Sequence, residues 1–253
     1  MENTDSPLKK RICYNYFHVP GDDEKSLFRR GVVDAVSGEL TSIGEPLNSP
    51  TVYWSKKSEA LDFLSTNPAL NILKPEMRRG FFIGEIALFA GWFLALNAFL
   101  LTDYTYLLIF EDDLWFNCEE NAALNHLKKV TIDIPENTDI VFLFSPEENF
   151  EKYTPELDVS QFFCTTYSNW STAFTLVTKE GASKILTLFE RGIDRPLDAL
   201  LLGDTGIVKY ALKPEEQYRY FSLYDRTWIG SHIDPSFGLV PKLIITEEDI
   251  INL

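Results

Sequence analysis

The chain has 253 residues, enough for one large domain, and its 45% hydrophobic, 24% charged and 14% aromatic content supplies an ample core. With 38 acidic against 23 basic residues it carries a net charge of −15, a surface that repels phosphate backbones and argues against general nucleic-acid binding. The short basic runs Lys9-Lys10-Arg11, Arg29-Arg30 and Arg78-Arg79 read as solvated surface.

In chain order, "RICYNYF" (11–17) reads as a first strand and the acidic "PGDDEKS" as a loop. "GVVDAV" (31–36) has the β-branched content of a second short strand, and "TVYW" (51–54) followed by "KKSEALDFLS" of a βα pair. Phe81 to Leu101 reads as a long buried helix, with Gly84 near its start and Asp103 in the turn beyond. Its apolar stretch "IALFAGWFLALNAFLL" is 16 residues long, contains Asn97 and is flanked by Glu85 and Asp103. That is too short and wrongly flanked for a membrane span.

"YTYLLIF" (104–110) and "DIVFLF" (139–144) are near-continuous apolar runs, the mark of strands buried on both faces. Between them "CEENAALNHLKKV" places acids early and Lys128-Lys129 late, as a helix dipole favours. "QFFCTTY" and "TAFTLVT" read as a strand pair. "KEGASKILTLFERG" reads as a helix with Thr178 as N-cap and Gly192 past its end, and "PLDALLLGD" as a short helix opened by Pro196. Strands alternating with helices predict a three-layer α/β sheet, whose ligands gather beyond the carboxyl ends of the central strands. Cys13, Cys118 and Cys164 are odd in number and far apart, which is neither a disulfide framework nor a zinc spacing. The N-terminus lacks the apolar core of a signal peptide, so a reducing, cytoplasmic setting is expected.

Glu111, Asp112 and Asp113 follow a predicted strand in "LLIFEDDLWF". Carboxylates at a strand end suit a hard divalent cation such as Mg²⁺ or Mn²⁺. In an extended segment Glu111 and Asp113 point to one side and Asp112 to the other. On spacing alone, a solvated turn with acids at a helix N-cap fits equally.

Several segments in order resemble glycosyltransferase family 25, which includes lipooligosaccharide and collagen β-galactosyltransferases. They are "YNYFHVPGDDEKSLFRRGVVDAVSGEL", "GEIALFAGWFLALNAFL…YLLIFEDDLWF", "TDIVFLF", "STAFTLVTKEGASKIL" and "RPLDALL", which together span about 11 to 203. One domain is expected over 1–253, with residues 204–253, which have no clear counterpart in that family, as an extension packing on or closing the site. The resemblance implies an α/β, GT-A-type three-layer α/β/α sandwich with a mainly parallel sheet. The implied activity is transfer of a hexose, galactose foremost, from a nucleotide-diphosphate donor such as a UDP-sugar. The acceptor would be a hydroxyl of a saccharide or glycoconjugate, and transfer would proceed with inversion and with Mn²⁺ or Mg²⁺. By position, Asp113 and Glu111 would hold the metal, and Glu111, Asp112 and Glu85 would meet the donor.

A metal bridging the departing diphosphate would stabilise its developing charge, and an inverting transferase also needs a base. Asp198 is the candidate base, at a helix start where the dipole favours its ionised form; an ordinary helix acid is the other reading. Glu85 opens its helix as a donor-hydroxyl ligand or as a cap. Trp170 and Ser171 offer a sugar-stacking or a core position. His18, His126 and His232 are scattered and read as surface or satisfied polar groups, while Arg219, Arg226 and His232 are cations able to close over a diphosphate. Where the family carries Ser-His in the long helix, this chain has Gly91-Trp92, and Ala199 replaces a second acid after Asp198. These departures keep open a catalytically silent protein that binds a sugar or partner.

Overall fold

The structure is a computed structural model describing residues 11–18, 24–49, 57–66, 83–112, 114–116, 122–145, 147–166, 171–217 and 220–222. The strands are β1 (Ile12–Phe17), β2 (Glu45–Pro46), β3 (Tyr106–Glu111), β4 (Leu114–Phe116), β5 (Ile140–Phe142), β6 (Phe163–Thr165), β7 (Phe174–Thr178), β8 (Lys209–Leu212) and β9 (Tyr220–Ser222). The helices are α1 (Glu24–Leu40), α2 (Lys57–Thr66), α3 (Ile83–Leu100), α4 (Ala122–Ile132), α5 (Lys179–Glu190), α6 (Leu197–Gly203) and α7 (Pro214–Gln217). Two 3-10 turns, Glu147–Lys152 and Pro155–Leu157, connect β5 to β6.

Seven strands form one sheet in the order β2-β1-β3-β7-β5-β8-β6. β7 is antiparallel to both neighbours and β6 is antiparallel to β8. The other five strands share one direction. The period of two along each strand sends alternate side chains to opposite layers. Leu108, Phe110, Val141 and Leu176 pack with Val32 and Val36 of α1 and Leu127 of α4. Leu107, Ile109, Ile140 and Val177 pack with Ile86 and Phe89 of α3 and Ile185 of α5. Both faces are therefore dry, which explains the unbroken apolar runs. The result is a three-layer α/β/α sandwich with a mainly parallel sheet.

Four local expectations change. "GVVDAV" is not a strand but the middle of α1. Val32, Val36 and Leu40 recur every four residues and bury one stripe on the sheet, so tertiary packing overrides β-branched propensity. The "PGDDEKS" loop ends early, because α1 begins at Glu24. "QFFCTTY" and "TAFTLVT" do supply strands, but β6 and β7 are not neighbours; β6 pairs with β8 while β7 lies between β3 and β5. β8 is an interior strand, so the family-like stretch ending at 203 omits part of the sheet. "TVYW", Cys118, Trp170, Arg219, Arg226 and His232 lie outside the described residues.

The segment beyond 203 also returns to the acid motif. β9 pairs antiparallel with β4, the strand that follows the motif, with Leu114 opposite Ser222. α7 anchors this return: Gln217 is fully buried and accepts the Ser145 N–H at 2.7 Å, and Glu216 meets His126 Nε2 at 2.8 Å.

α5 follows β7, the middle strand of the sheet, and is fixed by a set of local rules. Thr178 is its N-cap, accepting the Gly181 N–H at 3.0 Å, and Gly192 follows its end with φ +92°. Gly181 rests on the backbone of Asp139, and a Cβ there would overlap the Asp139 carbonyl. Asp139 is fully buried; its Oδ2 accepts from Lys184 Nζ at 2.8 Å and from the Val208 N–H at 2.7 Å. Among the described residues no helix is long and apolar enough to cross a membrane.

Candidate active site

The site is built from element ends. α3 brings Glu85, Leu88 and Phe89, and β3 brings Glu111 at its carboxyl end. The entry to β7 brings Ser171 and Thr172, and the start of α6 brings Pro196, Leu197 and Asp198. Together these nine residues line one cavity of about 240 Å³. Three of the acids singled out in the sequence, 26 or more positions apart, thus meet in one place. Among the described residues no lysine or arginine lines it.

Each acid is held differently. Glu111 donates its backbone N–H to the Ala173 carbonyl at 3.0 Å, and its Oε1 accepts from Thr172 Oγ1 at 2.9 Å. Asp198 accepts the Ala199 N–H at 2.7 Å, as an acid in a first helical turn does. Its pKa nonetheless lies above the ordinary value of 3.8. Burial is the main cause, the N–H groups of Ala199 and Asp198 oppose it, and the charge of Glu85 adds to it. The expected dipole effect is outweighed, since α6 is only seven residues long and Asp198 shares its cavity wall with apolar Leu88, Phe89 and Leu197. A carboxylate raised this way is a stronger proton acceptor.

Asp112 is not brought to the cavity. Its side chain turns to the α1 side of the sheet, where Oδ1 accepts from Arg29 Nη1 at 3.2 Å and Oδ2 meets His18 Nδ1 at 3.1 Å. Asp113 lies outside the described residues. The hard oxygen donors of the motif suit Mn²⁺ or Mg²⁺ in kind. Among the described residues, however, no three His, Cys, Asp or Glu side chains converge as a metal centre.

Gly91 and Trp92 belong to the core rather than to the cavity lining. A Cβ on Gly91 would come within 2.6 Å of Phe17 Cε1, so the Phe17 ring occupies the room that a larger side chain needs. Trp92 is fully buried, and its Nε1 has no partner among the described residues.

Thr172, Arg29 and His18 are contributors that sequence reasoning missed. Arg29 carried a usable signal. Once α1 is known, position 29 falls on the same stripe as Val32, Val33 and Val36, and a charge on a buried stripe implies a partner. His18 needed the register: Phe17 pairs with Glu111, so His18 leaves β1 at the level of Asp112.

No protein-family model matches the chain, and no curated protein matches it. Among solved structures it is similar to a glycosyltransferase involved in the glycosylation of the major capsid of PBCV-1, at 13% identity over 81% of this chain and 82% of that one, with a TM-score of 0.42. It is also similar to mouse xyloside xylosyltransferase 1 in its apo form, at 12% identity over 79% of this chain and 72% of that one, with a TM-score of 0.34.

Proposed function

We propose that this chain is a glycosyltransferase of the family 25 type. It moves a hexose, galactose foremost, from a UDP-sugar to a hydroxyl of a saccharide or glycoconjugate, with inversion. The observation that carries this reading is the meeting of Glu85, Glu111 and Asp198 around one cavity beyond the carboxyl end of β3. That is where ligands bind in open α/β sheets.

In this reading Asp198 takes the acceptor hydroxyl's proton, since its raised pKa suits a base better than a surface carboxylate. Glu85 accepts from a hydroxyl of the donor sugar. Glu111, oriented by Thr172, and Asp113 would hold Mn²⁺ or Mg²⁺, and the metal would supply charge stabilisation to the departing diphosphate. The apolar wall of Leu88, Phe89 and Leu197 excludes water and strengthens these polar contacts.

Thermal shift with UDP-, GDP- and CMP-sugars, with and without Mn²⁺, tests the reading. Mn²⁺-dependent stabilisation by one donor, lost in Asp113→Asn, is the expected outcome, and the same response in Asp113→Asn as in the parent overturns the metal assignment. Nucleotide release on adding acceptor separates a transferase from a sugar-binding protein. Asp198→Asn is expected to keep donor binding and lose transfer.

A further inference from the structure

We infer that Arg29 and His18 are positioning residues that hold Asp112 against α1 and thereby aim Glu111 into the cavity; this rests on the cavity being the transfer site. Phe17 packs in the layer of α3, and its register partner Glu111 enters the cavity on that side. The next residue on each strand turns the other way. His18 and Asp112 therefore face α1, where Arg29 sits on the buried stripe. The side chains of His18, Arg29 and Asp112 are only 10%, 10% and 8% exposed. A carboxylate buried that far is tolerated when a cation and hydrogen bonds accompany it, and here Arg29 and His18 supply them.

The arrangement divides the acid motif by face. Glu111 and Asp112 are consecutive, and with both ionised they repel one another. The Arg29 guanidinium sits 3.2 Å from Asp112 and relieves that repulsion before any metal is bound. His18 Nδ1 lies 3.1 Å from Asp112 Oδ2 on the side of the carboxylate not taken by Arg29, and His18 Nε2 is buried with no partner among the described residues. With Asp112 pinned to one side, the backbone of β3 ends in a fixed orientation and Glu111 has one direction in which to point.

The test uses the full chain with Arg29→Met, Arg29→Lys, Asp112→Asn and the double variant Arg29→Met/Asp112→Asn. Hydrogen–deuterium exchange of the ligand-free protein decides whether the clamp exists. Arg29→Met is expected to speed exchange of the Glu111 amide, bonded to the Ala173 carbonyl, by about tenfold or more, while β5 and α5 keep their protection. Arg29→Lys is expected to restore most of it. No change, or an equal loss throughout the molecule, overturns the clamp.

Calorimetric titration with UDP and Mn²⁺ decides whether the clamp serves the site. Arg29→Met and Asp112→Asn are each expected to weaken binding by about 10- to 100-fold, with no further loss in the double variant. Additive losses overturn the inference, because Asp112 then touches the ligand itself. A parent that binds neither UDP nor Mn²⁺ rejects the transfer-site reading, while the exchange measurement still decides the clamp.

Discussion

Two groups of withdrawn carboxylates lie at opposite ends of the strands of the same sheet, and they are treated in opposite ways. Asp139, where the chain enters β5, is fully buried and accepts from Lys184 and Val208, with Gly181 packed on its carbonyl. At the other end of the strands Glu85, Glu111 and Asp198 share a cavity lined by no described lysine or arginine, and burial with the charge of Glu85 raises the Asp198 pKa. The chemistry is the same and the company differs. A carboxylate given a cation and N–H donors from its own fold is a structural anchor. Carboxylates that share one cavity, one of them with its pKa raised by burial and a neighbouring charge, mark a candidate ligand site.

The contrast breaks most visibly at the anchored end. Gly181→Ala forces a Cβ into the Asp139 carbonyl and is expected to destabilise the fold by about 3 kcal/mol in urea denaturation. Lys184→Met leaves Asp139 without its cation. Lys184 is about a third exposed and water screens part of the interaction, so a loss of about 2 kcal/mol is expected by the same measurement. Thr178→Ala removes the α5 cap and should lower stability by about 1 kcal/mol.

At the cavity the sign reverses. The Asp198 pKa is higher folded than unfolded, so the folded state binds this proton more tightly and loses stability as pH rises through the folded value. Asp198→Asn is therefore expected to raise Tm at pH 7. The advantage should shrink on acidification and vanish below the unfolded value near 3.8. Glu85→Gln, which removes the like charge, is expected to move the acid limb of the pH–rate profile downward. A Tm difference between Asp198→Asn and parent that stays flat with pH would erase the distinction between the two ends.

Much of the central sheet was legible because β3 and β5 are buried on both faces and leave near-continuous apolar runs. The α5 cap was legible because Thr178 and Gly192 are local signals. α1 was not, because two adjacent valines mimic a strand until Val36 and Leu40 complete a helical stripe. β8 was not, because "KYAL" is short and half-buried at its start. Of the site, Glu85, Glu111 and Asp198 could be named from ordered motifs, but their meeting is a product of the sheet order. The Arg29–Asp112 contact spans 83 residues and follows no local rule. A charge on a buried stripe points to some partner without naming it.

The place of β8 bears on how the chain is made. β6 reaches the sheet only through β8, and β5 lacks its outer neighbour until β8 arrives. A ribosome delivers 163–165 well before 209–212, so the nascent strand β6 must wait with no edge to join. The same late segment carries β9, the partner of the strand that follows the acid motif. Assembly of the sheet's outer half and bracing of the motif thus fall in a single late step. The nascent chain reaches that step only after every acid of the site has been synthesised.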